Sequence, residues 1–354
     1  MTPAKRRRRW PLAVLGLLLG VVAAWVGVAA AVYSPEYVRR VLLWRESDIG
    51  DYLHHFPQRS LDPSPVPSPF EQANDEQRVR AVFEGALAVD DLEAFLADAG
   101  TQALVVLKND AVLYERYFNG IQRDSLLTSF SVAKSVASTL IGIAVDEQLI
   151  HGIDDPITDY LPELAERDGR FAQITIRHLL LMASGLDYQE TRWALFNGDD
   201  ALTTYYPDQR ALALERARVV APPGEYFDYN KYHPQLLGMI LERATGMSVA
   251  DYLQSRLWDP VGMEYGGAWA LDSEASGFEK MEAGLNARAL DFAKLGRLFL
   301  HDGSQGGTQV VSATWVREAT GPSEALLRPD HYRDEFGRSV FNDGAGYYSL
   351  MWYG

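Results

Sequence analysis

Apolar residues follow three patterns along the chain, and each pattern predicts a different kind of element. Residues 10–33 form one uncharged, mostly apolar run. Two β-rich runs, Ala103–Leu107 and Ala111–Phe118, are separated by polar residues, which predicts a β-hairpin. Helical spacing then predicts helices over Val132–Val145, Ile176–Met182, Gln235–Ala244, Val249–Leu257, Ala289–Leu300 and Ala313–Ala319. A hairpin followed by a long helical region indicates an α+β protein.

The uncharged run at residues 10–33 is long enough to cross a membrane, because about 20 apolar residues span the hydrocarbon core of a bilayer. Five basic residues at positions 5–9 precede it. Positive charge on that side predicts a cytoplasmic tail at residues 1–9 and an extracytoplasmic remainder. The small residues Ala29–Ala31 would also suit a cleaved signal peptide. An uncleaved anchor is favoured, since the run exceeds the usual signal core of about 7–15 residues.

Residues 34–69 separate the predicted anchor from the rest of the chain. We predict a short juxtamembrane helix over residues 34–54. Prolines at positions 63, 65, 67 and 69 indicate a stiff linker that follows this helix. The folded domain is therefore expected to cover residues 70–354, with a strand-like run at its end, Tyr347–Tyr353.

The composition is that of a globular protein with an acidic surface. Hydrophobic residues make up 47% of the 354 residues, enough for a substantial core. The formal net charge is −15, and because residues 5–9 contribute +5, the remainder carries −20. Nucleic-acid binding needs a basic face, so this charge argues against a nucleic-acid partner. The absence of cysteine excludes disulfides, thiolate metal sites and a cysteine nucleophile.

One serine stands three residues before a lysine at the start of a predicted buried helix. In Ser131-Val132-Ala133-Lys134 this spacing places both functional side chains on one helical face. A serine hydroxyl is a poor nucleophile until a neighbouring group takes its proton, and a lysine can do so when burial keeps it neutral. The helix N-terminus favours negative charge on an attacked carbonyl, and the Ser131 amide could donate to it. These residues predict an acyl-enzyme hydrolase.

Chance alone produces a serine and a lysine at this spacing about once in a chain of this length. The predicted burial of Lys134 is the stronger argument, because a lysine inside an apolar helix is costly unless it has a partner or a role. The spacing occurs once in the chain, and neither a Gly-x-Ser-x-Gly elbow nor a His-Glu-x-x-His motif competes with it.

Further segments follow the serine and lysine in a specific order. They are Ile174–Leu186, Pro223–Asn230 with Leu236–Gly238, and Met281–Ala287 with the helix to Leu300. Together with Phe130–Ser135 they resemble the serine β-lactamase and penicillin-binding-protein superfamily, especially its class C-like esterases and 6-aminohexanoate-dimer hydrolases. The resemblance covers roughly residues 70–354. It implies a β-lactamase/transpeptidase-like fold, in which an antiparallel sheet is flanked by helices and accompanied by a helical subdomain.

The resemblance also implies chemical roles. Ser131 is acylated, Lys134 and Tyr229 shuttle the proton, and no cofactor or metal ion takes part. A tyrosine acts as a base only when nearby positive charge stabilises its phenolate, which Lys134 could supply. Tyr229 occupies the family position after Pro-Gly-x-x-Phe-x. The alternative is that Tyr229 is a packed aromatic in a tyrosine-rich segment.

The residues after Tyr229 depart from the family pattern Tyr-x-Asn, which reads here as Tyr229-Asn230-Lys231. Lys231 could donate to the substrate or act as a second positive charge that lowers the pKa of the base. Asn230 could take over after a small local shift, or Lys231 could simply face solvent. Both are candidate substrate-binding residues. A third is Trp193, in an aromatic segment that could wall the acyl pocket or simply pack.

The third family motif, a Lys-Thr-Gly or His-x-Gly strand, supplies the second oxyanion donor. His301-Asp302-Gly303 has a related spelling, but its place predicts the C-terminal turn of a helix. In the family the strand that resembles Tyr347–Trp352 comes before this motif. We therefore expect the C-terminal strands, and one oxyanion donor with them, to be missing from this chain.

These observations predict a membrane-anchored serine hydrolase that cleaves an ester or amide in a small molecule or peptide. A D-Ala-D-Ala carboxypeptidase or β-lactamase of the same fold is the first alternative. A non-catalytic envelope protein is the second, and it is favoured by Lys231 and by the missing third motif.

Overall fold

The computed structural model describes residues 10–44, 52–190, 196–322, 332, 341 and 346–354. Within these ranges the α-helices are α1 (Trp10–Val32), α2 (Pro35–Trp44), α3 (Tyr52–His55), α4 (Glu76–Leu87), α5 (Leu92–Asp98), α6 (Val132–Asp146), α7 (Pro162–Arg167), α8 (Ile176–Leu180), α9 (Asp199–Tyr205), α10 (Gln209–Arg216), α11 (Tyr232–Thr245), α12 (Val249–Leu253), α13 (Asp259–Val261), α14 (Ala289–Leu300) and α15 (Ala313–Thr320). Short 3-10 helices cover Ile157–Asp159 and Gly169–Gln173, and a π-helical turn covers Gln254–Trp258.

The strands are β1 (Gln58–Leu61), β2 (Glu71–Gln72), β3 (Ala103–Lys108), β4 (Ala111–Tyr117), β5 (Leu127–Thr128), β6 (Gly267–Ala270), β7 (Leu285–Ala287), β8 (Ser304–Gln305), β9 (Thr308–Gln309), β10 (Tyr348–Ser349) and β11 (Trp352–Tyr353). Four of them form an antiparallel sheet in the order β1-β6-β7-β5. A second sheet has the order β2-β4-β3. Its β3–β4 pair is the predicted hairpin, and β2 runs parallel to β4.

Residues 56–70 are not only a linker, and that prediction was wrong. Strand β1 lies inside this stretch and pairs with β6 along its whole length, with Leu61 opposite Gly267. Beyond β1, the backbone N–H groups of Ser64 and Ser68 donate to Met263 and Gly262. The prolines are compatible with this arrangement because none lies inside β1: Pro57 precedes the strand and the other four follow it, so no donor is lost from the sheet.

Most predicted helices are present, with shifted ends. Helix α11 begins three residues earlier than predicted, where the Asn230 side chain accepts from the Tyr232 N–H at 2.8 Å. The predicted helix at Val249–Leu257 is divided by the π-helical turn after α12. The predicted strand at Tyr347–Tyr353 is instead the hairpin β10–β11, which turns at two residues of positive φ, Leu350 and Met351.

The main core is built around α6 and α11, which pack against each other. Nearly all residues from Ala133 to Ala144 in α6 and all from Tyr232 to Leu241 in α11 are buried, as expected of helices inside the core. A separate apolar cluster, formed by Val79, Leu92 and Tyr114, fills the space between α4, α5 and β4.

Among the described helices, α1 is long and apolar enough to cross a membrane, over Val14–Val32. The predicted juxtamembrane helix is observed as α2 and α3. Helix α2 is docked on the domain: the buried Arg40 guanidinium donates to the backbone carbonyl of Asp272 at 2.5 Å, and the buried Tyr37 hydroxyl donates to the carbonyl of Phe196 at 2.9 Å.

Candidate active site

Ser131 lies at the junction between strand β5 and helix α6. Strand β5 pairs with β7, and the Ser129 N–H extends the pairing to the Leu285 carbonyl at 2.8 Å. The chain then turns sharply at Phe130, whose φ of +42° is uncommon for a residue with a side chain. Such strain persists where surrounding structure enforces it, often at functional sites. The turn leaves Ser131 exposed at the start of α6.

Lys134 brings its amine back to Ser131 from the first turn of α6. Its Nζ lies 3.2 Å from Ser131 Oγ and 2.6 Å from the backbone carbonyl oxygen of Glu282. Lys134 is only 1% exposed, while Ser131 beside it is open to solvent. A small molecule can therefore reach the hydroxyl, whereas the amine is shielded from water.

Burial lowers the pKa of Lys134 to about 7, far below the ordinary value of a lysine. The charge of Glu282 acts in the opposite direction, and the positive charge of Lys231 lowers the pKa further. Near neutral pH a large fraction of this lysine is thus the free amine, the form that can accept a proton.

Two neighbouring segments hold Tyr229 beside Ser131 and Lys134. The Asp228 N–H donates to the Met182 carbonyl at 2.7 Å, and the Asn230 side chain donates to the Leu186 carbonyl at 3.2 Å. The turn at residues 182–186 therefore clamps the chain on both sides of Tyr229. This explains why the segments Ile174–Leu186 and Pro223–Asn230 occur together.

The Tyr229 side chain contacts both other site residues. Lys134 Nζ lies 5.1 Å from its ring centroid, and its hydroxyl is near enough to Ser131 for that side chain to influence its pKa. Burial raises the pKa of Tyr229, although hydrogen bonds to Ser131 and Tyr353 act in the opposite direction. At neutral pH this side chain is therefore the neutral phenol, which can donate a proton as well as accept a hydrogen bond.

The three predicted substrate-binding residues have different outcomes. Asn230 is fully buried, and both of its amide atoms are bonded to backbone groups, so its side chain is not available to a ligand in this arrangement. Lys231 is 22% exposed rather than facing open solvent, and its amine pairs with the Asp200 carboxylate and the Thr204 hydroxyl. Trp193 lies outside the described residues.

Sequence reasoning missed the part that Glu282 plays in this geometry. Its carbonyl binds Lys134, and its carboxylate forms a fully buried pair with Lys280, Oε1 to Nζ 2.6 Å. The segment begins just before β7, the strand that also holds β5, so both partners of Lys134 depend on one strand pairing. The signal available in the sequence was the pair of opposite charges in Lys280-Met281-Glu282.

A second serine lies next to a basic side chain but is closed to substrate. Ser184 Oγ is 2.5 Å from Nε2 of His233, and both residues are buried. Burial lowers the pKa of His233 to about 3. Another histidine, His178, caps α8 by accepting from the Thr175 N–H at 3.0 Å. Of these pairs, the one at Ser131 is open to a ligand.

The comparisons with known proteins agree with this architecture. The 6-aminohexanoate-dimer hydrolase of Paenarthrobacter ureafaciens is 30% identical over 287 residues, which cover 76% of this chain and 68% of that protein. Esterase EstB of Burkholderia gladioli is 29% identical over 58% of this chain and 54% of its own length. The structure of a putative 6-aminohexanoate-dimer hydrolase from Bacillus anthracis superimposes with a TM-score of 0.66, at 23% identity, over 86% of this chain and 79% of that one.

The structural match establishes the predicted fold, which is β-lactamase/transpeptidase-like. A family model described as Beta-lactamase also matches residues 89–354, about three quarters of the chain. That range includes every residue of the site described above. The chain therefore belongs to the beta-lactamase family of the serine β-lactamase and penicillin-binding-protein superfamily.

Proposed function

We propose that this protein is a serine hydrolase that cleaves an ester or amide through an acyl-enzyme on Ser131. The observation that carries the proposal is the contact between Ser131 and Lys134: an exposed hydroxyl lies 3.2 Å from a buried amine whose pKa is about 7. A nucleophile within hydrogen-bond reach of a neutral base is the arrangement that nucleophilic catalysis needs.

In the first step, Ser131 Oγ forms a bond to the carbonyl carbon of the substrate and its proton passes to Lys134 Nζ. The oxygen of the tetrahedral intermediate is close to the start of α6, where the Ser131 N–H has no acceptor among the described residues and can donate to it. The bond to the leaving group then breaks, and that group departs with the proton.

Tyr229 fits the part of proton carrier between Lys134 and the leaving group. Its hydroxyl lies beside Ser131 and its raised pKa keeps it protonated, so we assign the role of base to Lys134 and not to a phenolate. In the second half of the reaction, water attacks the acyl-enzyme carbonyl and gives its proton to the same amine. Ser131 Oγ then recovers its proton as the acid is released.

Lys231 supports the base at a distance in this proposal. It is held by Asp200 and Thr204, and its positive charge is one of the causes of the lowered pKa of Lys134. This supports the interpretation of Lys231 as a second positive charge. It does not require Lys231 to touch the substrate.

An active-site probe and a substrate panel test the proposal. A fluorophosphonate should form one covalent adduct per full-length chain, measured as a mass increase, and peptide mapping should place the adduct on Ser131. The matched control is Ser138→Ala in the same helix, where the buried hydroxyl has no hydrogen-bond partner in the described part of the chain, and this variant should label like the wild type. Failure of every acylating probe to modify Ser131 would sink the proposal and favour a non-catalytic envelope protein.

The panel comprises p-nitrophenyl esters, linear amide oligomers, nitrocefin and D-Ala-D-Ala peptides. Hydrolysis of esters or amide oligomers is expected, since the relatives named above are an amide-dimer hydrolase and an esterase. Turnover of nitrocefin or of the D-Ala-D-Ala peptides alone would replace this assignment with a β-lactamase or a carboxypeptidase of the same fold.

The rate of acylation should rise with pH and level off above about 7. Below that pH the amine of Lys134 is protonated and cannot accept the serine proton, so the rate should fall about tenfold per pH unit. Lys231→Met removes a positive charge that lowers the pKa of Lys134, and the rise should therefore move to higher pH. Stopped-flow measurement of the acylation rate from about pH 5 to pH 9 gives both profiles.

Lys108→Met is the control for the pH profile, because it removes the same charge from an exposed position at the end of β3. Its profile should coincide with that of the wild type. A wild-type rate that does not change between pH 5 and 9 would contradict the role of Lys134 as a base.

We also propose that α1 anchors the protein in a membrane, with the catalytic part on the extracytoplasmic side. The support is the length and apolarity of α1 and the basic residues at positions 5–9. The reconstitution experiment in the next subsection tests the anchoring.

A further inference from the structure

The outer end of α1 is packed against the domain along one stripe. Val26, Ala29, Ala30 and Tyr33 have the spacing of a single helical face, and all four contact the main core. Ala29 is only 6% exposed. Small residues such as these allow close approach of a helix to its neighbour. The helix that would cross the membrane and the catalytic domain thus share an interface.

Phe196, a buried residue of the domain, contacts α1 at Trp25. Its ring centroid lies 4.8 Å from that of Trp25, and its carbonyl accepts the hydroxyl of Tyr37 from α2. Nearer the end of α1, the Arg216 guanidinium lies 5.0 Å from the Tyr33 ring centroid. Both side chains combine an apolar body with a polar tip, which suits the level of lipid head groups, where the charge remains hydrated.

The opposite face of the same turns is apolar and open. Val28 is 62% exposed and Val32 is 63% exposed. Trp25 lies at the edge of the packed stripe, where it contacts Phe196 and is still 49% exposed. In water this continuous apolar surface would be costly, whereas lipid accommodates it without penalty. The outer turns of α1 therefore face lipid on one side and the domain on the other.

The length of α1 leaves no room for these turns outside the membrane. Its 23 residues extend about 34 Å, close to the roughly 30 Å of a hydrocarbon core. If the span ended at Trp25, the helix from Trp10 would extend only about 24 Å. Trp25 lies about 10 Å below the end of α1 at Val32, so its partner Phe196 must also lie at membrane depth.

We propose that the surface around Phe196, together with the outer end of α1, contacts the outer leaflet of the bilayer. The domain is then held directly against the membrane and is not joined to it by a flexible linker. The partner is the lipid surface itself. This proposal rests on the proposed anchoring by α1, but it does not depend on hydrolysis at Ser131.

The lipid-facing surface connects directly to the candidate active site. Three residues after Phe196, α9 begins with Asp199 and Asp200. Asp199 accepts from the Tyr232 hydroxyl at 2.8 Å, and Asp200 pairs with Lys231. Contact with the membrane therefore stabilises the start of α9. The Asp200 carboxylate on this helix holds Lys231 near Lys134.

The absence of cysteine makes single-cysteine probes possible in the full chain. Asn197→Cys places a label at an exposed position next to Phe196. Val28→Cys is the lipid-exposed reference, and Val82→Cys, on the exposed face of α4, is the matched exposed control. Each variant is labelled with an environment-sensitive fluorophore and placed, one copy per nanodisc, in lipids that carry a doxyl quencher near the head group.

The Asn197 label is expected to lose most of its emission, as the Val28 label does, while the Val82 label keeps its emission. If the protein stays with the nanodisc and the Asn197 label is unquenched, the anchoring holds and the lipid-facing surface is wrong. If the protein does not stay with the disc, both the anchoring and the surface are wrong. A second copy of the chain cannot cover the surface, because each disc holds one protein. Fluorophosphonate labelling of the same samples reports on the hydrolase proposal separately.

Discussion

Replacement of Lys134 by methionine will strongly slow acylation and stabilise the fold in the same variant. Loss of the proton acceptor should lower the acylation rate by about 10²–10⁴, the usual contribution of a positioned general base. The free energy of unfolding near pH 7 should rise by about 2–4 kcal/mol. In the wild type, folding buries an amine and lowers its pKa to about 7, which costs stability, and methionine removes this cost. Part of the gain is offset by the Glu282 carbonyl, which loses its donor.

The sign of the stability change follows from the lowered pKa. Between about pH 7 and the ordinary lysine range, the unfolded chain binds a proton that the folded protein does not, so wild-type stability rises with pH. The advantage of Lys134→Met should therefore be full below pH 7 and fade as the pH approaches 10. Urea titrations at pH 6.5 and pH 9.5, conditions on either side of the change, measure it.

Lys294→Met is the matched control for the stability effect. Lys294 is also buried, but its amine pairs with the carboxylates of Glu264 and Asp291 and donates to the Gly262 carbonyl. Removing it leaves the buried Asp291 without its cation, so this variant should be destabilised. If Lys134→Met were destabilised to the same extent, Lys134 would be a structural cation and the proposed mechanism would lose its base.

Substitution of Gly185 by alanine will destabilise the protein by about 3–5 kcal/mol, as the sum of backbone strain and overpacking. Gly185 has a φ of +72°, and a Cβ there would lie 2.2 Å from the carbonyl oxygen of Ala221. The Gly185 carbonyl also accepts from the N–H groups of Val220 and Ala221. Because residues 182–186 clamp Tyr229, the variant should lose acylation activity even where it still folds. Urea unfolding and fluorophosphonate labelling measure the two effects.

Gly246→Ala separates the two causes. Gly246 ends α11 at a φ of +69°, but a Cβ there would meet nothing within 4 Å. This variant carries the strain without the clash and should lose only about 1 kcal/mol. Equal stability of the two variants would show that the turn at Gly185 can move away from Ala221, and that the close contact does not hold Tyr229.

Local patterns were sufficient for the elements and for the serine-lysine pair. The β3–β4 hairpin and helices α6, α11 and α14 follow the predicted periodicities closely, because hydrophobic spacing reflects which face of an element is buried. The pair Ser131 and Lys134 is three residues apart on one helix, so its geometry is set by the helix itself. The order of the further segments was enough to predict the family and its fold.

Contacts between distant segments needed the tertiary structure. Strand β1 has too few residues to be distinguished from a linker until β6 pairs with it. The Glu282 carbonyl reaches Lys134 across 148 residues of chain, and nothing local to either residue indicates the contact. Lys231 pairs with Asp200 on α9, and the Asn230 side chain donates to Leu186 in the turn at residues 182–186, so both contacts depend on distant segments.

The chain's own pattern thus established the kinds of element, the uncharged span of α1 and the spacing of the nucleophile and the amine. Burial, and with it the lowered pKa of Lys134, was decided only when α6, α11 and the Glu282 segment closed around that amine. The position of the domain against α1 was decided in the same way, by the contact of Phe196 with Trp25. Periodicity is a property of neighbouring residues, whereas desolvation depends on every segment that surrounds a group in space.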